Sequence, residues 1–140
     1  MKKIDIIKFI NRFKLPYIIS VKFVSSIVLE DLFAAQVYIS DDLATIELNK
    51  KIFMYSKDTT YLKALILHEL GHIYVSEFKI KNPHIEEYSA HNFALKTALS
   101  HRLIKVHKEL LLMLEEWEEY KWNECRGQLR PYIKAVSIMK

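Results

Sequence analysis

Apolar and polar positions along the chain alternate in two distinct rhythms. Ile6, Ile7, Ile10 and Phe13 fall on one helical face with lysines opposite, which predicts an amphipathic helix over residues 3–14, stopped by Pro16. Residues 17–24, YIISVKFV, are rich in β-branched and aromatic side chains and predict a strand. Residues 25–35 fit either a short helix or a loop, with Ile27, Val28, Leu32 and Phe33 turned to the core. Two further strands are expected at 36–40 and 44–49, joined by a turn at Asp41-Asp42-Leu43. In the second, Thr45, Glu47 and Asn49 alternate with Ile46 and Leu48, so the hairpin has one half-exposed strand.

The helical rhythm then returns. A helix over residues 61–77, capped by Asp58 or Thr59, carries a stripe of Leu62, Leu65, Ile66, Leu70 and Ile73. Asn82-Pro83 breaks the chain, and a further helix spans 84–102. Another spans 104–125, where Leu103, Val106, Leu110, Met113, Trp117 and Tyr120 form a continuous packing seam. Gly127 and Pro131 end the regular pattern, leaving an apolar tail at 132–139. The fold class expected is α+β: a small, mostly antiparallel sheet of about three strands packed on helices.

Composition narrows the setting. One hundred and forty residues, 51% of them hydrophobic and 27% charged, suit one domain over 1–140. Two glycines and three prolines favour long elements over tight turns. Cys125 is alone, so no internal disulfide can form, and a reducing compartment is expected. Asp5, Lys8 and Arg12 interrupt any signal-like apolar start, and no uncharged apolar run approaches the ~18 residues of a membrane span. The expected location is cytoplasmic. The net charge of +4 and pI near 9.0 are basic, but the charges are scattered. Lys2, Lys3, Lys8, Arg12 and Lys14 make only a modest patch, so nucleic acid is a disfavoured partner.

The chemistry concentrates in His68-Glu69-Leu70-Gly71-His72. On a helix, H-E-x-x-H sets two imidazoles one turn apart on one face, where they can share a zinc ion. Glu69 would sit beside the open side of that ion and take a proton from a metal-bound water. Gly71, lacking a side chain, would let another element pack close to the metal face.

A catalytic zinc takes a third protein ligand. Glu77, five residues after His72, points about 140° away on the same helix and is a poor choice. His84 lies at the break. Glu86, Glu87 and His91 lie on the next helix, which can fold back; Glu87 and His91 are i and i+4 and share a face. One of these two could bind the metal while the other orients a ligand from behind. Their flanks also fit a bland alternative, in which Glu86 and Glu87 merely favour the helix dipole after Pro83.

His68-Glu-Leu-Gly-His72 followed by Glu87-Tyr-Ser-Ala90-His-Asn-Phe93-Ala94 resembles the gluzincin metallopeptidases, whose H-E-x-x-H helix precedes a helix reading E-x-x-A-x-x-F-A. The similarity is greatest to the ImmA/IrrE-like metallopeptidases, the minigluzincins and the catalytic domains of CAAX-type prenyl endopeptidases, and it covers mainly residues 61–100. It implies a zincin-like fold, zinc held by His68, His72 and Glu87, and Glu69 as general base and acid. Two departures stand out. Family members often carry Asp or Asn where this chain has His91, and only fourteen residues separate His72 from Glu87. Glu87 is therefore favoured as third ligand if the motif helix ends near residue 77; if that helix runs on to residue 80, His91 is the better ligand.

The function expected is a zinc-dependent metalloendopeptidase, its protein or peptide substrate lying along the hairpin edge. Tyr74, Tyr88, His101, His107 and Tyr120 are candidate donors to the oxyanion. A tail after Gly127 could either complete the core or lie over the cleft and hold the enzyme latent. The alternative is a non-catalytic, regulatory zinc-binding protein that engages a partner such as a repressor. A protease linked to nucleic acid is a third reading, resting on the basic pI alone.

Overall fold

A computed structural model describes residues 2–24, 35–50 and 59–115. The first helix, α1 (Lys3–Asn11), starts where the Lys2 backbone N–H donates to the Asp5 carboxylate at 3.0 Å. It buries Ile6, Phe9 and Ile10. The helix stops short of Pro16: Arg12 caps it, and Lys14 turns the chain with a left-handed φ of 49°.

Strands β1 (Ile18–Val24), β2 (Ala35–Ser40) and β3 (Leu43–Asn49) form one sheet in the order β1-β3-β2. The β2–β3 hairpin closes through Asp41 and Asp42 alone, with Asp41 at φ 54°, the left-handed geometry that a two-residue hairpin requires. Leu43, expected in the turn, already pairs with Ser40. The sheet is mixed, which corrects the expectation of a mostly antiparallel one: β3 runs antiparallel to β2 but parallel to β1, from Ile18↔Leu43 to Val24↔Asn49.

The hairpin folds its second strand against β1, so β3 is central and β2 is an edge among the described residues. The alternation in β3 thus reflects a sheet covered on one face rather than a strand lying at an edge. Ala44, Ile46 and Leu48 are buried, whereas Ser20 meets Thr45 at 3.1 Å, and Gln36 donates to Glu47 at 3.3 Å, on the other face.

Helix α2 (Thr59–Val75) packs against β2, α1 and α3 (Pro83–Ser100), and buries Ala64 and Leu67 in addition to its predicted stripe. A helix apolar on nearly every side belongs in an interior. Residues 104–115 form helix α4, whose Val106, Leu110, Met113 and Leu114 join the same core. Four helices and a three-stranded sheet thus give an α+β architecture among the described residues, and no helix there is long and apolar enough to cross a membrane. The expectations for residues 25–34, Asp58, Trp117, Tyr120, Cys125 and the apolar tail lie outside the described residues.

The decisive feature for the site is where α2 stops. It gives way at Val75 to a 3-10 turn (Ser76–Phe78), closed by Lys79 at a left-handed φ of 49°. Tyr17 braces this turn through a 3.2 Å hydrogen bond to Ser76. Asn82 then caps α3, its Oδ1 accepting from His84 N–H at 3.0 Å and Ile85 N–H at 3.2 Å, with Pro83 in the first turn. Because α2 ends before residue 77, α3 can run back along it with its first turns beside the motif.

Candidate metal centre

The two helices meet at a glycine. A Cβ on Gly71 would lie 2.8 Å from the Ala90 Cα and closer still to the Ala90 carbonyl. Only a residue without a side chain permits this approach. Ala90, Ala94 and Ala98 keep the facing surface of α3 low. The crossing sets Glu87, one turn before Ala90, against the histidines of α2.

His68, His72 and Glu87 come together there, each offering a ligand atom within 4.8 Å of the others. His68 Nε2 stands 2.9 Å from Glu87 Oε2, His72 Nε2 stands 3.2 Å from Glu87 Oε1, and the two Nε2 atoms are 3.2 Å apart. Tetrahedral ligands at zinc bond lengths are separated by about 3.3 Å. The three donors therefore already have the spacing of a shared coordination sphere, and the group could bind a metal ion. Of the two sequence candidates for the third position, Glu87 joins this set.

His91 is fully buried behind His68, its Nδ1 2.9 Å from His68 Nδ1 and its Nε2 2.6 Å from the Leu110 carbonyl of α4. Glu86 flanks the other histidine, with Oε1 3.4 Å from His72 Nδ1. Each imidazole thus faces the cluster with Nε2 and rests Nδ1 on a polar neighbour, the arrangement that orients metal-binding histidines.

No family model, characterised protein or solved structure matches this chain. The site therefore stands on its own geometry.

Its electrostatics follow from partial burial of two carboxylates among imidazoles. For Glu69, which is 5% exposed, burial is the largest influence and raises its pKa; the charge of His68 and His72 works against this, and Glu87 adds to it. Burial alone would lower the His72 pKa, but the hydrogen bond and charge of Glu87, the charge of Glu69 and the Glu86 contact together raise it to about 9. Glu87 moves the other way. Burial would raise it, yet the hydrogen bonds and charge of His68 and His72 hold it well below the usual carboxylate range. Burial foremost, aided by the charge of His68, lowers the His91 pKa to about 3 and favours the neutral ring.

The remaining sequence candidates lie elsewhere. Glu77 is exposed on the 3-10 turn. Tyr74 stacks on Phe93 with centroids 4.5 Å apart, and His101 packs edge-on against Phe13 at 4.8 Å. All five line a surface cleft of about 400 Å³ that none of the three candidate ligands borders. Tyr88 and His107 are buried, and His107 Nε2 has no hydrogen-bond partner among the described residues. Tyr120 lies outside them. The Leu110 carbonyl gave no sequence signal, because a backbone acceptor is the same at every residue. The Glu86 contact to His72 was within reach of the spacing that singled out its neighbour.

Proposed function

We propose that this chain is a zinc-dependent metallopeptidase. The observation that carries the reading is the convergence of His68 Nε2, His72 Nε2 and a Glu87 carboxylate within 3.2 Å, beside the buried Glu69. Two imidazoles, one carboxylate and a neighbouring glutamate are a donor set suited to catalytic zinc. Zinc bound there would polarise the substrate carbonyl and make water acidic enough to attack at neutral pH.

The chain's own residues supply the proton handling and the positioning. Glu69 adjoins His68 in sequence and lies within electrostatic reach of His72 and Glu87. Its raised pKa moves it toward the working pH, where a carboxylate can both take a proton and return it to the leaving amine. Strand β2, an edge among the described residues, packs on the motif helix and offers backbone groups to an extended peptide.

Incubation with a mixed peptide library, read by mass spectrometry, tests the activity. The expected result is cleavage that chelator abolishes, zinc restores and Glu69→Gln removes. A zinc-loaded parent that cleaves nothing would favour the regulatory, non-catalytic alternative. Cleavage by Glu69→Gln at the parent's rate would remove Glu69 from the mechanism.

A further inference from the structure

The basic patch on α1 does not stand alone in the fold. The core takes Ile6, Phe9 and Ile10, while Ile4 and Ile7 remain exposed on the solvent side of the helix. Lys2, Lys3, Lys8, Arg12 and Lys14, from the same stretch, are exposed with them. The chain leaving α1 then meets the corner between α3 and α4, where Phe13 packs edge-on against His101. That corner has the same make-up. Arg102 turns it with a left-handed φ of 57°, and Leu99 and Ile104 are exposed on either side of the turn. Lys96, Arg102, Lys105 and Lys108 are exposed too.

Charge is unevenly divided as a result. Residues 2–14 and 96–108 hold nine of the chain's 21 lysines and arginines but one of its 17 acids, Asp5. The remainder of the chain is net acidic, so positive charge concentrates where two stretches distant in sequence come together. Among the described residues, no salt bridge joins any of these nine side chains to an acid.

We propose that this surface docks the protein on an anionic lipid bilayer, with Ile4, Ile7, Leu99 and Ile104 entering the headgroup region and the cations meeting lipid phosphates and carboxylates. The charges are complementary, and each Lys or Arg close to such a membrane raises binding roughly fivefold. The exposed apolar side chains decide for lipid. A bilayer interface receives them, whereas a nucleic-acid backbone uses the cations alone. Neither stretch exposes a Phe, Tyr or Trp on which bases could stack. The surface is also separate from the metal cluster, since Glu87 precedes Leu99 by twelve residues of α3, about 18 Å along the helix axis. The proposal thus goes beyond the enzyme reading and needs no zinc.

Vesicle flotation of the full chain tests it. The protein should float with phosphatidylcholine vesicles that contain about 30% phosphatidylserine, and not with phosphatidylcholine alone. Raising NaCl from about 0.1 M to 0.5 M should release it. Equal flotation with both vesicles, or none with either, would overturn the proposal. So would a parent that binds duplex RNA at the lower salt and leaves the vesicles untouched.

Variants locate the surface. Lys3→Glu with Lys8→Glu, and separately Arg102→Glu with Lys105→Glu, should each cut partitioning more than roughly tenfold. Lys22→Glu with Lys81→Glu changes the net charge equally at exposed positions outside both stretches, and should stay near the parent. Ile4→Ser with Ile7→Ser should weaken flotation several-fold without loss of salt dependence. Equal loss in the Lys22/Lys81 control, or a serine variant that floats as the parent does, would contradict the docking surface. All the substituted side chains are exposed, and thermal unfolding checks that each variant folds; the lipid and salt dependence of the parent stands without them.

Discussion

Gly71 of α2 and Ala90 of α3 touch backbone to backbone, and this contact sets the distance at which Glu87 and His91 face the motif histidines. Gly71→Ala would gain about 1 kcal/mol in helix propensity. The added methyl meets a carbonyl and a Cα rather than a movable side chain, so the helices must separate, and overpacking of this kind costs about 1–3 kcal/mol. The cost should win. Urea denaturation is expected to show a lower midpoint for Gly71→Ala, and metal titration a weaker site; a more stable variant with parental affinity would contradict the close crossing.

Glu69 divides binding from chemistry. Glu69→Gln keeps the shape of a buried side chain but cannot take up a proton. It should retain zinc with near-parental affinity while hydrolysis falls by about 10²–10⁴-fold or more. Loss of metal together with activity would assign Glu69 to holding the ion instead.

The metal-free protein should lose stability as pH rises above about 6.5. His72, raised from 6.5 to about 9, binds more protons folded than unfolded in that interval, so its contribution is present below pH 6.5 and lost as pH climbs to 9. Glu69, raised by burial, works in the same direction from pH 4.5 upward. His91 has the opposite sign: lowered to about 3, it costs stability as pH falls from 6.5, and so works against Glu69. Below pH 4.5 Glu87, held low by its histidines, adds to the acid loss. Thermal unfolding across pH reads the profile, and His72→Gln should flatten the alkaline limb. Rising stability between pH 7 and 9 would sink this account.

Asn82 begins the helix that carries Glu86, Glu87 and His91. Its Oδ1 accepts from two backbone N–H groups, at 3.0 and 3.2 Å. Asn82→Ala should cost about 0.5–2 kcal/mol and fray the first turn, while Asn82→Asp should be tolerated. Differential unfolding of the two variants checks this; equal loss in both would mean that the cap is not what holds the turn.

How far the site could be read before its geometry was known depended on the range of each signal. The pairing of His68 with His72 is local, because i and i+4 share a face wherever a helix forms. The choice between Glu87 and His91 was not local, since both share a face of α3. It turned on α2 ending at Val75, which follows from the left-handed Lys79 and the Tyr17–Ser76 hydrogen bond, features without a side-chain pattern of their own. Among the described residues, the helices and the hairpin were legible from periodicity within a few residues. The parallel pairing of β1 with β3 was not, because the polar alternation of β3 marks the uncovered face of the sheet and is silent about what lies on either side.

Zinc binding by the purified protein tests the central claim most directly, measured as stoichiometry and affinity in the parent, Glu87→Ala and His91→Ala. The account predicts one zinc per chain in the parent, loss of the site in Glu87→Ala, and a weakened but occupied site in His91→Ala. A parent that binds no zinc, or a Glu87→Ala variant that binds it as the parent does, would contradict the assignment of His68, His72 and Glu87 as the metal centre.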